Sequence, residues 1–74
     1  MDEIEALHAA RRLARATQQA AIQLVEFAER VSPVVEPAQM VEYDTLLTRE
    51  ESVRAERNDA FAELGFAVPS AEGG

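Results

Sequence analysis

Residues 2–31, DEIEALHAARRLARATQQAAIQLVEFAERV, contain neither glycine nor proline and are dense in Ala, Leu, Glu, Arg and Gln. Those residues lose least on entering a helix. The stretch predicts one long helix, and the rest of the chain must fold against it. Asp2, Glu3 and Glu5 fall in its first turn, where the positive end of the helix dipole favours carboxylates. Arg30 falls in its last turn, where a cation is favoured. Pro33 ends the helix, because it disfavours the helical conformation of Ser32.

On a wheel of about 100° per residue, one half of this helix is apolar. It carries Leu7, Ala10, Leu13, Ala14, Ala20, Ala21, Leu24, Val25, Phe27, Ala28 and Val31. The other half carries Arg11, Arg12, Arg15, Gln18, Gln19, Gln23, Glu26, Glu29 and Arg30. An apolar half-circumference is wider than the seam of a two-stranded coiled coil. Much of it is alanine, which lets a neighbouring helix come close but buries little area. Such a face suits a helix with two neighbours, as in a bundle. Ile4 and Ile22 fall outside the arc and either widen it or meet another chain.

Residues 32–37, SPVVEP, form the one clear interior linker. Two prolines leave little room for helix, and the segment has the short length of helix–helix connections in bundles. It is expected to reverse the chain, with Val34 and Val35 closing the end of the core.

Residues 38–64 read as helical again. Pro37 suits a first helical position, and Met40, Tyr43, Leu46 and Leu47 cluster at helical spacing. Thr48-Arg49-Glu50-Glu51 then matches a capping box, which would start a fresh helix at Arg49. The rival is one continuous helix from Ala38 to Leu64. Its length of about 40 Å, close to the roughly 45 Å of the first helix, favours the continuous form. Gly65 can take the left-handed conformation that closes a helix, and Phe66 is placed for the hydrophobic contact of a Schellman motif. Residues 1–66 are thus expected to form one helical-hairpin domain, and 67–74, AVPSAEGG, a flexible C-terminal tail.

The second helix has a polar break in its stripe. Helical spacing from Tyr43 gives Leu47, Glu50, Arg54, Arg57, Phe61 and Leu64, with Val53 and Ala60 beside it. Two readings stand. The charged middle is a buried layer that sets register or oligomeric state, or an Arg pair that reads a partner's carboxylates. Alternatively, Glu50–Arg54 is a solvated pair one turn apart and Arg57 lies over Phe61.

The chain has no Cys, one His, fourteen acidic residues and seven basic ones, all Arg, for a net charge of −7. Disulfides and thiolate zinc sites are excluded. The acidic surface repels nucleic acid and anionic membranes, so direct binding to either is not expected. Glu5 and His8 match the Glu-x-x-His spacing of di-iron bundles. They sit on the polar side of the helix, however, without a second such pair, so no metal or other cofactor is expected. No glycine-rich phosphate loop exists, because all glycines lie at or after position 65. His8 has no Ser or acid near it in a recognisable catalytic arrangement. The chain reads as non-catalytic.

Residues 1–31 begin acidic, and charges interrupt any apolar run, so no secretory signal is visible. A cytoplasmic protein is expected. The fold expected is all-α: an antiparallel hairpin that dimerises into a four-helix bundle or packs on a larger protein partner. The residues expected at the interface are Leu7, Leu13, Ala14, Ala21, Leu24, Val25, Ala28, Tyr43, Leu47, Val53, Arg57, Phe61 and Leu64. The function expected is that of a small acidic interaction or assembly module. The alternative is a regulatory inhibitor, antitoxin-like or nucleic-acid-mimicking, that masks a basic target surface. Arg11, Arg12 and Arg15 against Glu26 and Glu29 on the same helix hint at antiparallel self-contact.

Overall fold

The structure is a computed structural model, and it describes residues 2–66. The flexible tail expected over 67–74 lies outside the described residues. Two helices make the fold, α1 (Glu3–Arg30) and α2 (Pro37–Glu63). Phe27 stacks on Tyr43 beside the connection, and Glu3 and Leu7 lie beside Glu63 and Leu64 at the far end. The helices therefore run antiparallel, as the hairpin reading of the sequence requires.

Each helix end has a local cause. Asp2 is the N-cap of α1 rather than part of its first turn, and its Oδ1 accepts from the Ile4 N–H at 3.3 Å. The Val31 N–H still donates to Phe27 O at 2.9 Å, but Val31 itself is extended and leads into the connection. Pro37 opens α2, where its missing N–H costs nothing. The Glu36 N–H donates to Gln39 Oε1 at 3.1 Å, satisfying another donor at that end.

α2 passes through Thr48 unbroken. Half-buried residues on both sides of it, Leu46, Leu47, Val53 and Arg57, need one straight helix to stay against α1. A cap at Thr48 would have turned the chain out of line between them. α2 ends in the Schellman arrangement. Gly65 has φ +99°, its N–H donates to Ala62 O at 3.0 Å, and the Phe66 N–H reaches back to Phe61 O at 3.0 Å. The Phe66 and Phe61 rings meet edge-on, 5.8 Å apart.

The seam between the helices is built from small residues. Ala10 is 0% exposed, Ala20 2%, Thr17 6% and Phe27 7%. The Thr17 hydroxyl donates to Leu13 O at 2.8 Å, which removes most of the cost of burying it. α2 contributes no fully buried residue, and none of the large side chains is fully buried among the described residues. The molecule measures 48 × 28 × 16 Å. That thickness is little more than one helix, so the hairpin is a single layer, whereas stable domains use two or more.

Two stability effects follow. Gly65→Ala should cost about 1 kcal/mol in chemical denaturation. An added Cβ meets nothing within 4 Å, so the loss is purely that of the left-handed backbone. Ala10→Leu should cost about 1–3 kcal/mol, because the extra carbons force the helices apart where they now touch.

Candidate interaction surface

The seam divides the hairpin into two unlike faces. In α1 the inward residues Ala6, Ala10, Leu13, Thr17, Ala20, Leu24 and Phe27 recur every third or fourth position. Their counterparts in α2 are Gln39, Tyr43, Leu46, Glu50, Val53, Arg57, Ala60 and Leu64. Each next residue along a helix turns about 100° to one side. The helices run in opposite directions, so residues just before the inward positions share one face of the hairpin. Residues just after them share the other.

The first of these faces is polar. One groove on it is lined by Ala9, Arg12, Glu56, Asp59 and Glu63, and a second by Gln23, Glu26, Arg30 and Glu42. Arg30 and Glu42 form a two-pronged ion pair across the helices. Its Nη1–Oε1 arm is 3.2 Å long, and the second arm joins Nη2 to Oε2. The Arg30 guanidinium also lies 5.2 Å from the centre of the Phe27 ring, whose neighbour is Tyr43 at 5.9 Å. The hydrogen bond from Arg30 holds the Glu42 carboxyl below the usual carboxylate range and raises Arg30 in return.

The second face is mostly apolar on α1, interrupted by Arg11 and Gln18, and mixed on α2, where Asp44, Glu51, Arg54 and Asn58 share it with the apolar residues. On α1 it exposes Leu7 at 37%, Val25 at 55% and Ile4 at 62%, together with Ala21 and Ala28. Ile22, 48% exposed, continues it around the outer side of α1. On α2 it holds Met40, 63% exposed, and the half-buried Leu47 and Phe61. Tyr43, 47% exposed, lies on its rim. Near the connection it deepens into a groove of about 490 Å³ lined by Phe27, Val31, Val35, Gln39, Met40, Tyr43 and Asp44.

The residues expected at an interface fall into two groups. Leu13, Leu24, Val53, Arg57 and Leu64 are half-buried along the seam between α1 and α2. Leu7, Ala14, Ala21, Val25, Ala28, Tyr43, Leu47 and Phe61 form or border the apolar face. The polar break of α2 does reach the seam. The Glu50 side chain is only 13% exposed, with Arg54 Nε at 3.7 Å and Arg54 itself 50% exposed. Arg57 does not lie over Phe61. It donates to Asn58 Oδ1 from Nε at 3.3 Å and Nη2 at 3.0 Å.

Sequence reasoning missed the buried Thr17 and the partnership of Arg30 with Glu42. A short polar residue four positions after Leu13 is a signal for the first, since its hydroxyl can reach back one turn. The second needed the register between the helices. Glu5 and His8 are both exposed. Among the described residues, no three or more His, Asp or Glu side chains gather as a metal site, and no helix is long and apolar enough to cross a membrane. Comparison with protein families, with curated proteins and with solved structures finds no match.

The lowered Glu42 gives a pH signature. A carboxylate whose folded pKa is depressed adds stability above the ordinary carboxylate range and loses it as acid protonates the folded state. Glu42→Gln should therefore be slightly less stable than the parent at pH 7. The two should converge in denaturation midpoint below about pH 4.

Proposed function

We propose that this protein is a non-catalytic assembly module that works by covering its apolar face with another protein surface, first of all a second hairpin. The observation that carries this is the single-layer fold. Its buried seam amounts to Ala10, Thr17, Ala20 and Phe27, and Ile4, Val25 and Met40 lie more than half exposed on one face. Burial of such side chains contributes about 1.5–3 kcal/mol each. A chain of this size has little stability to spare without it. Two hairpins stacked on their apolar faces make a four-helix bundle with an interior. The polar faces, with Arg30 and Glu42, then point to solvent.

A second reading, an acidic inhibitor of a basic target, draws on the row Glu56, Asp59 and Glu63 along the polar face. It calls on the opposite side of the hairpin and on salt-sensitive binding.

Thermal unfolding followed over a hundredfold range of concentration tests the assembly reading. The melting temperature should rise with concentration, and sedimentation should give a dimer or larger species. Val25→Glu should shift the population toward monomer and lower the melting temperature. A monomer with a cooperative, concentration-independent transition would overturn the proposal.

A further inference from the structure

We infer that the occupant of the apolar face is a second copy of this chain whose α1 lies antiparallel on the first α1, with the two-fold axis passing by Ala21 and Ile22. This rests on the assembly reading above and adds to it the partner, its direction and its register.

Two rows on α1 carry the inference. The first is Ala14, Ala21 and Ala28, spaced by seven residues on the apolar face. Such a row returns to the same side of a helix and lets a second helix approach to about 8 Å. It is symmetric about Ala21. An antiparallel copy centred there sets Ala14 against the partner's Ala28 and Ala21 against the partner's Ala21.

The second row flanks the first on its outer side and has the same spacing: Arg15, Ile22 and Glu29. It is symmetric in position about Ile22 and opposite in charge at its ends. With the axis between Ala21 and Ile22, each row lies within about 1.5 Å of exact register along the helix, and Arg15 comes within reach of the partner's Glu29, twice by symmetry. The same axis also sets Ile22 against the partner's Ile22, which accounts for an isoleucine left 48% exposed on the far side of α1 from α2. Both charges are free to do this. Arg15 and Glu29 are exposed, and among the described residues the ion pairs are Arg30–Glu42 and Glu50–Arg54.

A parallel copy would set Arg15 against the partner's Arg15 and Glu29 against the partner's Glu29. That juxtaposition disfavours it. On α2, the same axis falls near Thr48 in the register set by Phe27 and Tyr43. Asp44 and Arg54 lie on either side of it, while exposed Glu51 lies close to its own copy there, so the charge argument rests on α1 alone.

Cysteine mapping tests the arrangement against a clean background, since the chain has no Cys of its own. All three alanines border or lie on the exposed face, so the replacements leave the seam intact. Ala21→Cys should form a disulfide-linked dimer under mild oxidation. Ala14→Cys and Ala28→Cys should each resist linking alone and should link to one another when mixed. A dimer in which Ala14→Cys links to itself would be parallel and would overturn the inference. So would one in which Ala21→Cys links only to Leu47→Cys, because α1 would then sit on α2 of the partner. Either result leaves the assembly reading standing, whereas the absence of any dimer in sedimentation sinks both.

Charge exchange gives an independent readout. Arg15→Glu should weaken the dimer by about five- to tenfold, and Arg15→Glu with Glu29→Arg should restore most of it. A double variant as weak as the single would remove the Arg15–Glu29 pairing and with it the register.

Discussion

Alanine at the point where the helices touch controls the rest of this structure. Ala10 and Ala20 are sealed between α1 and α2. Side chains that small bring the helix axes close together, and a close pair leaves no space between them for anything large. Leu13, Leu24, Leu46 and Leu64 are therefore displaced to the edges of the seam, where they are half-buried. Val25 and Met40 lie outside it because each follows an inward residue and so turns about 100° to the open side. A seam of leucines would have widened the gap, buried more of its own surface and left less outside.

The asymmetry between the faces has an electrostatic side. Arg30 and Glu42 meet on the polar face one turn from the connection, where the Phe27–Tyr43 stack already holds the helices together. Such an exposed pair adds little energy. It does bias direction, because sliding one helix by a turn separates it. The half-buried Glu50 acts the same way from the middle of the seam. Polar groups sit near the centre, with Thr17 on α1 and Glu50 on α2, while Phe27 and Ala10 lie toward the ends. A slip of one heptad would carry Glu50 under apolar neighbours. The Arg54 guanidinium one turn along the same helix moderates that cost but travels with Glu50, so it does not itself fix the register.

Most of the fold was legible because it is written locally. The lack of breakers before Ser32, the prolines of the connection and the Gly65-Phe66 stop each act within a turn of where they stand, and the helices begin and end within a residue or two of where these signals put them. Thr48 was the ambiguous place. Its capping-box pattern is also local, but the competing influence is packing on both sides, which no short window contains. The surface was legible in part. A wheel finds the width of the apolar arc but does not say which portion α2 will cover. It took the structure to separate Leu13 and Leu24, beside the seam, from Val25 and Ala28, outside it. Arg57 shows the same limit. Its spacing to Phe61 allowed a stack, yet the shorter reach to Asn58 won.

In the assembly proposed here, folding and association cannot be separate equilibria. Tyr43, Glu50, Arg57 and Leu64 are α2's inward residues nearest the apolar face, so they border the seam on one side and that face on the other. Covering the face removes water from the seam's open edge as well. There the dielectric falls, the exposed parts of the leucines are buried, and the Glu50–Arg54 pair strengthens relative to its form in water. The gain is shared between holding the copies together and holding each hairpin closed. In that assembly each hairpin gains stability where it meets its partner, because little of its apolar surface is buried alone.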